Sequence, residues 1–120
     1  MKLILNSFFV CVFFLCYPAF AAKIDKEYIV KVSGIKIGKI NWKINMNEAV
    51  YSNEISLKSE GWLSSIYSFE GYYKSEGIIK ENKMSPTNYS HNWKTNKVNK
   101  KMNLVFKNNK LFSLRQKPEE

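Results

Sequence analysis

Residues 39–46 read K-I-N-W-K-I-N-M, polar and apolar in strict alternation. A period of two puts Ile40, Trp42, Ile44 and Met46 on one side of an extended chain, whereas a helix would scatter them around its circumference. The segment is therefore expected to be a β-strand with one face buried. Ile35 and Ile37 precede it at odd positions, so side-chain parity switches between Ile37 and Ile40. Gly38 sits at the switch, where a bulge or a sharp sheet bend is expected.

The same pattern recurs. Tyr28, Val30 and Val32 precede Ser33-Gly34; Tyr51, Ile55 and Leu57 follow Asn47-Glu48; Tyr89, His91 and Trp93 follow Pro86; Met102, Leu104 and Phe106 precede Asn108-Asn109. Each run ends in turn chemistry and no helical stripe of useful length appears. The prediction is an all-β, mainly antiparallel fold, a meander forming a curved sheet or an incomplete barrel.

K-S-E-G occurs twice, at residues 58–61 and 74–77, but the flanking residues do not match, which argues against a duplicated unit. The two tetrapeptides are expected to close two strands, one carrying Tyr51, Ile55 and Leu57, the other Phe69, Gly71 and Tyr73. Between them, residues 62–67 (W-L-S-S-I-Y) break the alternation and are expected to form a short helical turn or a wide connection. Their apolar side chains either plug the open end of the sheet or line a pocket there, and apolar stripes are more often packing than ligand contacts.

Near the C-terminus, Asn108 and Asn109 suit the two positive-φ positions of a tight hairpin, which sets Phe106 across from Leu111. That register predicts Val105 opposite Phe112, with Leu114 beside Phe112, an apolar cluster on a face that should be polar. Residues beyond Glu120 or a partner are then expected to cover it, and the edge is expected to associate.

The first 21 residues carry Lys2, an apolar run over residues 3–15 interrupted by Asn6 and Ser7, then Pro18 and Ala19-Phe20-Ala21. A basic start, a short apolar centre and an A-x-A motif predict a secretory signal helix cleaved between Ala21 and Ala22. The apolar run falls short of the roughly 20 residues that span a bilayer. Residues 1–21 are thus assigned as a signal peptide and residues 22–120 as one antiparallel β domain, exported to the periplasm or envelope of a bacterium. Both cysteines, Cys11 and Cys16, lie in the signal. Neither Val10 nor Leu15 before them is the small residue that lipidation needs, so the mature chain should have no thiol, no disulfide and no thiolate metal site.

Lysine and arginine number 19 against 10 acidic residues, a net charge of +9, and loss of Lys2 leaves +8. Arg115 is the single arginine, so the planar fork used for specific phosphate or carboxylate recognition is nearly absent and the lysines read as a solvated positive surface. For an exported protein the anionic partners are lipid head groups, glycans or acidic proteins rather than nucleic acid, and peripheral membrane contact is compatible with the charge.

His91 is the only histidine and falls on the apolar side of its strand, where a bond to a backbone carbonyl or a tyrosine is expected. No nucleophile with a base, phosphate loop, GxSxG or dinucleotide fingerprint is present. Glu54, Glu60, Glu70, Glu76 and Glu81 have lysine neighbours on expected solvent faces. Neither an enzyme nor a cofactor or metal site is expected. Two functions of different class fit: a binding protein whose curved sheet holds an apolar or lipidic ligand against Trp42, Trp62, Tyr67, Phe69, Tyr73, His91 and Trp93, or a structural component of the envelope that pairs a sheet edge with a protein partner.

The order Tyr28-x-Val30, Gly34-Ile35-x-Ile37-Gly38, Tyr51, Lys58-Ser59-x-Gly61-x-Leu63, Tyr67-x-Phe69, Ser75-x-Gly77, Pro86-x-x-Tyr89 and Pro118-Glu119-Glu120 resembles the bacterial exported family called domain of unknown function 3108. The resemblance covers essentially the whole mature chain. It implies an envelope protein of mainly antiparallel β structure with no defined catalytic residues. It also implies further strands after the Pro-Glu-Glu segment, so this chain is expected to be the first part of a longer domain.

Overall fold

The computed structural model describes residues 21–118, and the expected signal segment lies outside them. Seven strands follow one another: β1 (Ala22–Val32), β2 (Ile35–Met46), β3 (Val50–Ser59), β4 (Phe69–Lys80), β5 (Lys83–Thr95), β6 (Asn99–Lys107) and β7 (Lys110–Lys117), with one four-residue helix, α1 (Leu63–Ile66), between β3 and β4. They pair in sequence order, all antiparallel, in a single sheet. β1 and β7 do not meet, so of the two expected forms it is the open sheet and not the barrel that is adopted.

Local chemistry explains the meander. Ser33-Gly34, Glu81-Asn82 and Asn108-Asn109 all have positive φ at both central residues, the geometry of two-residue turns whose twist matches that of the flanking strands. The β2–β3 turn is held by the Asn47 carboxamide oxygen, which accepts from the backbone N–H groups of Ala49 and Val50 at 2.8 Å each. The β5–β6 turn is held by Thr95 Oγ1, which accepts from Lys97 and Val98.

The register makes the sheet two-faced, because directly opposite residues share a face. One row across all seven strands is Lys26, Trp42, Ile55, Tyr73, His91, Met102, Gln116; the next is Tyr28, Ile40, Leu57, Gly71, Trp93, Lys100. On the other face a row reads Asp25, Lys43, Glu54, Lys74, Ser90, Asn103, Arg115. Ion pairs tie this charged face across strands, Lys39 with Glu27 at 2.7 Å and Lys74 with Glu54 at 3.4 Å, and Lys74 also pairs along β4 with Glu76 at 2.8 Å.

Gly38 lies at a bulge, as expected. Val30 pairs with Gly38 but Lys31 with Lys36, leaving Ile37 as the extra residue. The insertion lets Ile35 and Ile40 reach the same face despite their opposite parity. The first K-S-E-G does close β3. The second does not close a strand: Lys74 and Gly77 are internal to β4, which runs on to Lys80. Gly77 is there because Tyr51 lies opposite it and fills the space a side chain would take, so the glycine marks close packing and not a turn.

The last hairpin corrects a second expectation. Phe106 does face Leu111, but Val105 pairs with Ser113, and Phe112 is the extra residue of a bulge. Leu114 therefore lies opposite Leu104, on the apolar face, and not beside Phe112. Phe112 on the charged face is partly covered by Lys107, whose ammonium stands 3.8 Å from the ring centre. The expected apolar cluster of Val105, Phe112 and Leu114 does not form.

Candidate functional site

Among the described residues no apolar side chain is buried. Substantial contacts run only between sequence-adjacent strands, so among the described residues nothing beyond the α1 segment rests on the apolar face. A sheet of this width and strand length offers on the order of 1,000 Å² per face. Covering a mostly apolar face of that size is worth on the order of 20 kcal/mol gross, more than the ~5–15 kcal/mol net stability of a typical domain. An uncovered apolar patch of this extent marks an interaction site.

The aromatic residues singled out in the sequence are placed unequally. Aromatic packing centres on β4 and β5, where Gly71 leaves room between Phe69 and Tyr73: a Cβ there would meet Tyr73 Cε2 at 3.0 Å and Phe69 Cε1 at 3.4 Å. Phe69 packs against Trp93 with ring centres 6.0 Å apart, and Tyr73 against His91 at 5.8 Å. The Tyr89 hydroxyl and His91 Nδ1 are 3.2 Å apart, the tyrosine partner expected for this histidine. Trp42 lies in the same row as Tyr73 and His91, its indole N–H donating to Asn53 Oδ1 at 2.6 Å.

Tyr67 and Phe69 join Val30, Ile37, Leu57 and Leu63 around a hollow of about 200 Å³ with an almost wholly apolar lining. α1 is what brings Leu63 and Tyr67 over the sheet. Gly61, at φ 77°, turns the chain out of β3, and the Asn96 side chain clamps the return, accepting from the Ser68 N–H at 2.6 Å and donating to the Ile66 carbonyl at 3.3 Å. Ser59 Oγ accepts from the Phe69 N–H at 2.8 Å and sets the start of β4. Trp62, by contrast, is 58% exposed at the start of α1 and does not line this hollow.

A second hollow of about 330 Å³ lies over Tyr73, Tyr89, His91, Trp93 and Met102, and the Phe69 and Trp93 rings join it to the first. A wider one, about 690 Å³, lies at the far end of the sheet over Met46, Tyr51 and Gly77, with mixed polar lining and Ala21 at its border. The aromatic contacts favour the first two as the site. Val30, Ile37, Leu57 and Leu63 were missing from the residues named on aromatic character alone; the strand parity of Val30 and Leu57 was the signal for them.

A family model described as protein of unknown function (DUF3108) matches residues 27–119. The chain belongs to the DUF3108 family. The match begins within β1 and takes in every later strand, so α1 and both rows of the apolar face apart from Lys26 lie inside the DUF3108 region. No curated protein and no solved structure matches the chain.

Proposed function

We propose that this DUF3108 chain is a non-catalytic exported protein of the bacterial envelope whose apolar sheet face holds an apolar or lipidic ligand. The observation that carries this is the seven-strand apolar face without a single buried apolar side chain. Two linked hollows on that face, one of them almost wholly apolar, supply a track with aromatic walls. A cavity of about 200 Å³ is below the ~300–1,000 Å³ of most small-molecule pockets, which favours one extended chain over a ring system. Export follows from the basic, apolar and A-x-A order of the first 21 residues.

The direct test is mass spectrometry of an organic extract of the purified exported protein. A stoichiometric acyl lipid supports the proposal. A clean extract, together with no binding of a fluorescent fatty-acid probe, overturns it. The alternative of a structural or protein-interaction role is favoured by a different observation, the outer edges of β1 and β7, which pair with no strand among the described residues.

A further inference from the structure

The two open edges of the sheet differ. β7 has eight residues, a bulge at Phe112, the cations Lys110, Arg115 and Lys117 with no acid to offset them as Asp25 and Glu27 offset the lysines of β1, and Pro118 after it. Those are the devices that keep an edge from pairing. β1 runs for eleven residues without proline, and the bulge between β1 and β2 has its extra residue, Ile37, on the β2 side. Such an edge is open to addition of a strand.

The charges along β1, A-K-I-D-K-E-Y-I-V-K-V, say which strand fits. In a two-fold antiparallel pairing of β1 with itself, an axis at Asp25, Lys26 or Glu27 brings like charges together on the axis. An axis at Tyr28 brings none together and gives the longest overlap of the registers free of like-charge pairs, residues 24–32. It sets Asp25 across from Lys31 twice, Ile24 across from Val32 twice, and Tyr28 across from Tyr28. Within one chain Lys31 stands opposite Lys36, and neither Asp25 nor Lys31 forms an ion pair among the described residues.

We propose that β1 pairs antiparallel with β1 of a second copy about an axis through Tyr28, making one continuous sheet of twice the width. The axis is normal to the sheet, so both apolar faces lie on the same side. Lys26 of the second copy then stands opposite Val30, which lines the apolar hollow, and where the ligand proposal holds it supplies a cation at the hollow's rim. The pairing itself does not depend on a ligand and is tested on delipidated protein.

The test uses the chain with Cys11 and Cys16 replaced by alanine, so that an introduced thiol stands alone whether or not the first 21 residues are removed. Tyr28→Cys places two thiols across the axis at a Cα separation of about 4.5–5.5 Å, within disulfide range. Lys26→Cys, on the same strand and face, is about 14 Å from its own copy. Mild oxidation should link the Tyr28→Cys protein and leave the Lys26→Cys protein unlinked. Sedimentation equilibrium should show a dimer that Lys31→Asp dissociates and that Asp25→Lys, added to it, restores, with circular dichroism unchanged throughout. A monomer at every concentration overturns the proposal, and so does equal linking of the two cysteine variants.

Discussion

Gly77 in β4 lies directly opposite Tyr51 in β3, and the tyrosine ring occupies the place where a side chain on residue 77 would stand. The same position is closed from the other side by the Ser85 carbonyl oxygen. A ring can turn away, but a backbone carbonyl moves only with its strand. Gly77→Ala should therefore destabilise the protein by about 1–3 kcal/mol, the usual range for overpacking. Urea unfolding of the purified protein reads it as a lower midpoint at constant slope; an unchanged midpoint would show that Tyr51 and β5 yield freely.

Gly38 is constrained differently. A Cβ there would lie 2.9 Å from the Lys58 carbonyl oxygen in β3, so a side chain must push the β2–β3 ladder apart beside the Ile37 bulge. Valine is a good strand former, yet Gly38→Val should cost more than the roughly 1 kcal/mol span of strand propensity. A denaturation midpoint that stays level or rises would mean that the glycine is merely tolerated in a regular strand.

These two glycines also show how far the fold could be read from the chain. Period-two alternation located β1, β2, β3, β5 and β6, because one face is mostly apolar and the parity of Ile40, Trp42, Ile44 and Met46 admits one orientation; β4 and β7 were read instead from the residues between the two K-S-E-G segments and from the Asn-Asn turn. Gly38 was legible as a bulge since the alternation changes phase there. Gly77 was not: alternation carries no information on which opposite residue needs space, and a glycine after Lys-Ser-Glu looks like a strand end until Tyr51 is placed across from it. The Phe112 bulge was hidden for a related reason. A two-residue Asn-Asn turn fixes the first pair, Phe106 with Leu111, but an inserted residue one step later flips everything beyond it. For the site, aromatic character picked out Phe69, Tyr73, His91 and Trp93, which do cluster, and also Trp62, which stands apart because α1 turns it outward.

That separation gives a paired prediction for ligand binding. Phe69 touches both hollows, lining one and packing on Trp93 in the other, whereas Trp62 lines neither. Phe69→Ala should weaken binding of a fluorescent fatty-acid probe by about tenfold, equivalent to about 1.4 kcal/mol. Trp62→Ala should leave it within a factor of about two, well under that energy. Equal losses in both variants, with unchanged circular dichroism, would move the binding site toward α1.

The last prediction concerns the first K-S-E-G, which acts as a latch at the end of β3. Lys58 pairs with Glu70 at 3.8 Å, Ser59 Oγ accepts from Phe69, Glu60 pairs with Lys36 at 2.5 Å, and Gly61 supplies the positive φ that leads into α1. The hydrogen bond from Lys36 holds the Glu60 carboxyl below its ordinary value of 4.5 against an opposing desolvation, with the charges of Lys36, Lys39 and Lys58 adding smaller lowering effects. A carboxyl with a lowered folded pKa stabilises the folded state above its unfolded pKa, and the contribution is lost as pH falls through the folded value. On the alkaline side, Lys39 is raised above 10.5, chiefly by its hydrogen bond to Glu27, so its contribution is present below 10.5 and lost as pH rises through the folded value. Glu60→Gln should therefore lower Tm at pH 7 and converge with the parent protein at acid pH, while Glu27→Gln should lower Tm at pH 7 by a difference that closes as pH rises through the lysine range. Thermal melts across that span check both signs. Both groups are partly exposed, so added salt should shrink each difference at pH 7. Curves for Glu60→Gln that stay parallel to the parent down to pH 3 would show that the carboxylate contributes through shape and not through charge.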